Sequence, residues 1–432
     1  MNKFPPKKSL RARALLAGLS CFVFGSLSPL HGAHWKGSGT GGDGEWNAAS
    51  NWDTLEVPGG STDVYMRLAS PYTDPAAEIT VDSSAPAKFN FLYVRRGKAV
   101  TLALKAGASL SGSIMTVGEE GRQDGTGSQL TIKGPTEGAA AVTLERFYVK
   151  YDTGLRNSLT LSGSGLTVNL TKNYTDINNG GSLIVTDGAT VNAQTGTAFY
   201  LQATGSNGLN NRVALESGTV SVPTIYMWEG SLFQLSKNAT LTASNIYVNR
   251  LADAGGARFE AEGAGLTGML KVYSKGVLAI GLTDVETNTR SAASKLTIQS
   301  TVEMDSGSIL EVHVFGSGAD GIDQINLAEG GSLKSGGTGA VLKLKLEGYT
   351  PKAGESWTLF TGETGSISGV FDFSEVDTNL WDISQLNADG EWVITAIPEP
   401  SSLSIVSMVG LIGTAFAGFL KRSSGHRSSA DK

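Results

Sequence analysis

The stretches SLTLSG at residues 158–163 and SLIVTDGATV at residues 182–191 carry the pattern that decides the fold. In both, Leu, Ile or Val alternates with Ser or Thr over a short run, and a glycine closes or interrupts the run. Alternation of this kind is typical of a β-strand that buries one side, and glycine at such positions indicates a tight turn. We therefore predict an all-β chain built from many short strands.

The pattern returns along the chain at a similar distance. Leu130, Leu159 and Leu183 belong to equivalent runs that lie roughly 25 to 30 residues apart, about the length of one coil of a parallel β-helix. In such a helix the strands of successive coils stack in parallel and turn their apolar side chains inward. We predict a right-handed parallel β-helix (β-solenoid) over residues 79–346. Repeats of a β-sandwich produce similar runs and stay open as the alternative.

The composition also favours strands and turns over helices. Glycine accounts for 56 of the 432 residues, and charged residues make up only 17%. Glycine inside a helix costs roughly 1 kcal/mol relative to alanine, whereas turns use it readily. Residues 34–420 hold 25 Lys and Arg against 39 Asp and Glu, a net charge of −14. This balance argues against nucleic acid and anionic membrane surfaces as partners.

Residues 1–33 have the layout of a secretory signal peptide. Five cations without an acidic residue precede an apolar run from Ala14 to about Leu27, and Ala33 follows a small residue. The run is too short to span a bilayer comfortably, so we expect export and cleavage near Ala33. The single cysteine, Cys21, lies in this segment, and the processed protein therefore has no thiol.

Three elements follow one another at the C-terminus. The first is Pro398-Glu399-Pro400, whose prolines hold the chain extended. The second is residues 401–420, an uncharged stretch which, at about 1.5 Å per helical residue, covers the roughly 30 Å hydrocarbon core of a bilayer. The third is a basic tail at residues 421–432 that includes Lys421, Arg422 and Arg427. Cations after a span stay in the cytoplasm, which leaves the body outside the membrane.

This ending, residues 397–432, closely resembles the PEP-CTERM sorting signal of Gram-negative bacteria. The resemblance implies recognition and processing at Pro398–Pro400 by an exosortase, a membrane transpeptidase-like enzyme. It implies a transient stay in the inner membrane with the body in the periplasm, then transfer to the cell surface or extracellular matrix. It also implies a frequent association with extracellular polysaccharide. It does not specify what the body does, because unrelated bodies carry this tail.

The body resembles the β-helix passengers of autotransporter-type proteins near its start and its end. The tryptophan-rich residues 44–64 are similar to their opening, and we expect residues 34–78 to cap the solenoid. Residues 308–360 are similar to their repeat ending and the segment that follows it. We expect residues 347–396 to form a C-terminal β cap, closed by Leu359, Phe360, Val370, Phe371 and Phe373.

Residues for metal or nucleophilic chemistry are scarce. The body has only His34 and His313 and no cysteine, so neither a histidine-rich zinc site nor a Cys-His pair can form. His313 alternates with valines in a predicted strand and is expected to face solvent. The many carboxylates lie mostly beside turn glycines, where solvated side chains are expected. We name no catalytic residue, no metal ligand and no cofactor.

Aromatic residues are the remaining candidates for a binding site. The candidates are Phe147, Tyr148, Tyr151, Tyr226 and Trp228. If these side chains are exposed, they form a strip on which sugar rings stack; if they are buried, they fill the interior of the solenoid. Together these observations predict a non-enzymatic structural or adhesion protein of the cell surface or matrix. The alternative is a secreted polysaccharide-binding or polysaccharide-degrading β-helix protein.

Overall fold

Each coil of the chain consists of short strands in which apolar and polar residues alternate. Successive side chains of a strand point to opposite sides, so the apolar residues are buried and the polar residues point outward. The computed structural model describes residues 32–36, 44–66, 78–95, 99–118, 127–150, 157–172, 174–178, 180–202, 211–250, 256–263, 265–362, 366–386 and 391–397. Over these residues the chain is a parallel β-solenoid of about 10 turns, whose helical content is two 3-10 turns at Ala49–Asn51 and Ala319–Gly321. The all-β class and the parallel solenoid are confirmed, and the β-sandwich alternative is wrong.

Several predicted segments lie outside these residues. They are the signal peptide up to residue 31, the motif Pro398, Glu399 and Pro400, the apolar stretch 401–420, and the tail with Lys421, Arg422 and Arg427. Within the described part of the chain, no helix has both the length and the apolar character that crossing a membrane requires.

The strands line up in three faces, which we call A, B and C. Face A contains β1 (Ala33–His34), β2 (Val64–Met66), β5 (Phe91–Val94), the second halves of β7 (Ser109–Val117) and β9 (Ala140–Val149), β12 (Tyr174–Asn178), β15 (Ala198–Gln202), β18 (Thr224–Met227), β21 (Asn245–Val248), β24 (Met269–Val272), β27 (Thr301–Met304), the first part of β30 (Ser332–Leu346) and β32 (Ile367–Asp372). Face B contains β3 (Glu78–Val81), β6 (Ala99–Leu104), β8 (Gln129–Lys133), β10 (Ser158–Ser162), β13 (Ser182–Thr186), β16 (Asn211–Leu215), β19 (Ser231–Leu235), β22 (Arg258–Ala261), β25 (Val277–Ile280), β28 (Ile309–Val314) and the last part of β30.

Face C is made of two sheets. The upper part contains β4 (Ala87–Lys88), the first halves of β7 and β9, β11 (Leu166–Leu170), β14 (Thr190–Ala193), β17 (Thr219–Ser221) and β20 (Thr240–Thr242). The lower part is a separate six-stranded sheet of β23 (Gly265–Leu266), β26 (Lys295–Ile298), β29 (Gln324–Leu327), β31 (Ser356–Thr361), β34 (Glu391–Ala396) and β33 (Trp381–Asp382). Among the described strands, the pairings of β34 with β31 and β33 alone are antiparallel.

The register places equivalent residues of successive coils directly above one another. Leu159 pairs with Leu130 on one side and Leu183 on the other, so the repeat seen in the sequence is the coil of the solenoid. All three leucines are buried and belong to one continuous apolar core. Further along the same face, Phe233 pairs with Phe259, and their buried rings stack at 5.3 Å.

Aromatic side chains close the first coils of the core. Trp52 contacts Trp35 and Trp46 edge to face, with ring centroids 5.0 and 4.9 Å apart. The Trp52 indole Nε1–H donates to the Trp46 carbonyl oxygen at 2.9 Å, which gives this buried polar group a partner. Edge-to-face pairs of this kind add roughly 0.5–1.5 kcal/mol beyond the area they bury.

The last coils are closed by a second aromatic cluster. Trp392 in β34 contacts Phe360 and Phe371 edge to face, each at 4.9 Å. Leu359 is buried and Phe373 packs partly against the core, whereas Val370 is 61% exposed. The expectation that Val370 helps to close this end is therefore wrong, because the alternation of β32 turns it outward.

The stacked core makes a specific prediction about stability. Phe233→Ala removes a fully buried ring between Val213 and Phe259, and we expect a loss of about 3–5 kcal/mol in the free energy of unfolding. Thr219→Ala, at an outward position of the nearby β17, should change it by no more than about 0.5 kcal/mol. Urea denaturation followed by circular dichroism measures both variants, and equal losses would contradict the stacked core.

Candidate functional site

Tyrosines occupy the same outward position on successive strands of face A. Tyr200, Tyr226 and Tyr247 are register partners in β15, β18 and β21. Their rings stack at 5.0 and 5.2 Å, with interplanar angles of 29° and 12°. Because each ring covers the face of the next, the three residues present their edges and hydroxyl groups to solvent rather than their ring faces.

These three tyrosines belong to a longer row. Ring contacts of 6.3 Å extend it at both ends, and we call its six members the tyrosine ladder: Tyr148, Tyr174, Tyr200, Tyr226, Tyr247 and Tyr273. A shorter stack near the N-terminus contains His34, Tyr65 and Tyr93, with ring centroids 5.0 and 5.1 Å apart. Burial and a hydrogen bond with the Tyr174 hydroxyl raise the pKa of Tyr148, so its phenol stays protonated and can donate.

Cationic side chains lie beside the stacked rings. The Arg95 guanidinium is 4.0 Å from the Tyr93 ring centroid, and the Arg250 guanidinium is 4.6 Å from that of Tyr226. Arg146 and Lys150 contact Tyr148 at 5.4 and 4.8 Å. Each of these two guanidinium groups also lies near the next ring of its stack: Arg95 is 5.7 Å from the Tyr65 centroid, and Arg250 is 5.9 Å from the Tyr247 centroid.

Two open grooves follow face A. One, of about 590 Å³, runs along the ladder and is lined by residues that include Tyr174, Asp176, Tyr200 and Tyr226. The other, of about 390 Å³, lies between the two stacks, next to Thr116. Burial raises the pKa of Asp176, while the neighbouring Lys150 and Arg146 lower it. Face A therefore combines apolar ring edges, phenolic hydroxyls and guanidinium groups along an extended surface.

The sequence identified part of this surface. Tyr148 and Tyr226 lie on the ladder as a binding strip requires, and Trp228 contacts Tyr200 at 6.3 Å. Phe147 is instead a core residue, because its neighbour Tyr148 takes the outward position, and Tyr151 lies outside the described residues. The sequence reasoning missed Tyr65, Tyr93, Tyr174, Tyr200, Tyr247 and Tyr273. Most of the ladder shares a signal that could have found it: a tyrosine between two buried apolar residues, as in Ile246-Tyr247-Val248.

A second candidate site lies on face B, where the prediction for His313 is wrong. His313 is only 3% exposed. Its Nε2 lies 2.8 Å from Glu311 Oε1, and its Nδ1 lies 2.7 Å from Glu347 Oε1. Ionised carboxylates only accept hydrogen bonds, so both contacts are hydrogen bonds when the imidazole carries a proton on each nitrogen.

Glu311 is the centre of this cluster. Arg258 Nη2 donates to its Oε1 at 2.6 Å, and Lys345 Nζ lies 2.8 Å from its Oε2. Burial opposes ionisation of Glu311, but hydrogen bonds from His313 and Arg258 and the charge of Arg258 outweigh it and hold its pKa well below the ordinary value. A general acid or base needs a pKa near the working pH. Glu311 instead serves as a structural partner that is ionised at neutral pH.

Residues 281–294 are held against face B by two further buried carboxylates. Glu260 accepts from the Thr283 backbone N–H at 2.8 Å and from the Thr283 hydroxyl at 2.6 Å. Asp323 accepts from both terminal nitrogens of Arg290, at 2.6 and 3.0 Å. The expectation that carboxylates lie mainly in solvated turns thus fails for Glu260, Glu311 and Asp323, which are buried and paired.

The groove beside this cluster, of about 830 Å³, has almost balanced charge in its lining, with Arg258 and Lys345 close to Glu260, Glu311 and Glu347. Among the described residues, no group of three or more His, Cys, Asp and Glu side chains is arranged to hold a metal ion. No family model, curated protein or solved structure matches the chain.

The charged cluster predicts a defined response to acid. Because the folded-state pKa of Glu311 is below its ordinary value of 4.5, its stabilising contribution is complete above that pH and is lost as the pH falls from 4.5 towards the folded value. We expect the free energy of unfolding to decrease across this window. Glu311→Gln should lower stability at neutral pH and weaken the acid response, whereas Glu329→Gln, on an exposed turn, should do neither. Identical pH profiles of unfolding for E311Q and the unaltered protein would contradict this role.

Proposed function

We propose that this chain is an exported structural or adhesion protein of the bacterial cell surface or extracellular matrix, and that it binds polysaccharide along face A. The observation that carries the proposal is the tyrosine ladder with its flanking arginines. Polysaccharides present apolar C–H faces and many hydroxyl groups. Aromatic edges, phenolic hydroxyls and guanidinium groups are suited to both, because they combine apolar contact with directional hydrogen bonding.

The repeat supports binding of a polymer rather than a single sugar. Tyr200, Tyr226 and Tyr247 present the same group on consecutive strands, so a chain molecule lying along the solenoid axis meets equivalent contacts repeatedly. Weak contacts in series give a high effective affinity without a deep pocket. This suits a matrix protein, which has to hold a polymer in many places.

Export and sorting are proposed from the ends of the sequence. We propose that residues 1–33 are removed as a signal peptide and that residues 401–420 hold the chain briefly in the inner membrane, with the body in the periplasm. An exosortase then processes the chain at Pro398, Glu399 and Pro400, and the basic tail with Lys421 stays in the cytoplasm. We also propose a right-handed coil, the hand of nearly all parallel strand crossovers.

The second candidate function is degradation of a polysaccharide on face B. The groove beside Glu260, Glu311 and His313 favours it, because paired carboxylates serve glycoside hydrolysis. The saturated hydrogen bonds of Glu311 count against it, since a catalytic acid needs a labile proton. Incubation with a panel of polysaccharides separates the two functions: release of reducing ends or unsaturated products requires an enzyme.

The binding proposal predicts the effect of removing rings. Tyr200→Ala and Tyr226→Ala should each weaken retention on affinity gels that contain the cell's own exopolysaccharide by roughly ten-fold, equivalent to about 1.4 kcal/mol. Thr190→Ala and Thr219→Ala, at outward positions of face C, should bind as the unaltered protein does. Equal retention of all four variants would exclude face A as the binding surface.

The sorting proposal predicts the effect of changing the tail. Replacing Glu399 with Gln should leave the chain membrane-bound with residues 401–432 still attached, because the processing enzyme no longer recognises the motif. Deleting residues 401–432 should release the body from the membrane fraction without processing. Mass spectrometry of both termini after cell fractionation measures this, and unchanged processing of the E399Q variant would refute the proposal.

A further inference from the structure

On face A one column of register partners contains Tyr65, Tyr93, Thr116, Tyr148, Asp176, Tyr200, Tyr226 and Tyr247, so its tyrosines are interrupted at Thr116 and at Asp176. The Tyr174 ring contacts Tyr148 and Tyr200 beside Asp176. Thr116 in β7 pairs with Tyr93 in β5 on one side and with Tyr148 in β9 on the other. Thr116 thus occupies a column position that holds tyrosine on both neighbouring strands. We call the resulting recess the Thr116 notch; the groove of about 390 Å³ lies here, and its lining includes Tyr93, Thr116, Gly118 and Tyr148.

The notch has the thickness of one ring. Adjacent strands lie about 4.8 Å apart, so the strands of Tyr93 and Tyr148 are separated by about 9.6 Å. Rings on adjacent strands of the same column stack at 5.1 Å in the pair Tyr65–Tyr93. The separation across Thr116 is therefore that of two stacking steps, and a flat ring of a ligand can fill the middle layer.

Two residues further along each strand, a small residue again lies between two larger ones, and here the larger residues are cations. Arg95 follows Tyr93 and Lys150 follows Tyr148, and Gly118 lies between these two cations in the ladder of backbone hydrogen bonds. Gly118 has φ of 91°, and a Cβ atom there would lie 2.2 Å from the Lys150 carbonyl oxygen, so this position excludes a side chain. The coil thus places two small, largely covered residues between two pairs that each combine a tyrosine with a cation.

The charge of this surface differs from that of the whole body. Residues 34–420 carry a net charge of −14. Among the described residues along the outside of face A from Tyr93 to Arg250, two carboxylates, Asp176 and Glu229, stand against four cations: Arg95, Arg146, Lys150 and Arg250. A local positive surface on an acidic protein attracts an anionic ligand and orients it. Arginine in particular suits carboxylates, because its planar fork forms two parallel hydrogen bonds with them.

We propose that the Thr116 notch binds an acidic sugar residue, a hexuronate, of an extracellular polysaccharide. The pyranose ring lies between the Tyr93 and Tyr148 rings, above Thr116, and the carboxylate faces Arg95 and Lys150. This inference rests on the proposed polysaccharide binding by face A and adds to it the chemical class of the polymer. The remaining tyrosines and Arg250 hold the polymer beyond the notch.

The experiment fills the notch without disturbing the fold. Thr116→Tyr continues the stack that Tyr93 and Tyr148 leave open, so its thermal midpoint should equal or exceed that of the unaltered protein. Thr116→Ser keeps the notch and serves as the matched control. Isothermal titration calorimetry on the purified protein uses oligogalacturonate and the same oligomer with its carboxyl groups reduced to alcohols.

We expect T116Y to bind oligogalacturonate at least ten-fold more weakly and T116S to stay within two-fold of the unaltered protein. Arg95→Gln and Lys150→Gln should each reduce the preference for the acidic over the reduced oligomer by about ten-fold, while Lys237→Gln, on an exposed turn, should not change it. The preference for the acidic oligomer should also decrease as the salt concentration is raised, because salt screens the attraction between opposite charges.

Failure of this inference differs from failure of the proposed function. If T116Y binds oligogalacturonate as the unaltered protein does, while Tyr200→Ala loses binding, face A binds polysaccharide but the notch is not its acidic subsite. Equal binding of the acidic and reduced oligomers overturns the preference for a hexuronate. If neither these oligomers nor the cell's own exopolysaccharide bind, both the notch and the polysaccharide function are wrong.

Discussion

Register between parallel strands is the constraint on which the rest of this structure depends. Backbone hydrogen bonds fix adjacent coils about 4.8 Å apart, and each residue lies directly above its equivalent in the previous coil. Inside, this aligns Leu130, Leu159 and Leu183 in one buried column. Outside, it brings Tyr226 and Tyr247 into contact at a distance that suits stacked rings. One geometric rule therefore builds both the core and the aromatic surface.

The sequence was sufficient for the fold but only partly for the surface. Alternation and the repeated leucine predicted a parallel solenoid, because both follow from local pattern and coil length. The same alternation misplaced Phe147, since it does not say which of two adjacent aromatics points outward. The ladder was also hidden because Tyr174 does not share the register position of Tyr148; it enters the row through a contact of their rings. That placement depends on the pairing of β9 with β12.

The prediction that His313 faces solvent is wrong because a segment distant in sequence covers this part of face B. An outward residue of a strand faces solvent only where nothing lies over it, and face B carries residues 281–294 across several coils. Thr283 contacts Glu260, 23 residues earlier in the chain, and Arg290 binds Asp323, 33 residues later. A buried charge without a partner is an uncompensated ion and is costly. These pairs supply a partner for each buried charge in place of water. A periodic pattern cannot reveal such contacts, since they join a connecting segment to strands that are distant in sequence.

The threonine at position 116 of the tyrosine column is informative because stability does not account for it. A tyrosine at position 116 would gain ring contacts on both sides, each worth about 0.5–1.5 kcal/mol, and face A accepts such stacks between Tyr65 and Tyr93 and again from Tyr200 to Tyr247. Threonine forgoes these contacts, and Gly118 beside it adds no side chain. Proteins give up stability of this size most often at functional sites, where a surface has to stay open for a ligand. The cations on both sides of the opening then decide which ligand fits, because Arg95 and Lys150 lie where a negative group on the inserted ring would point.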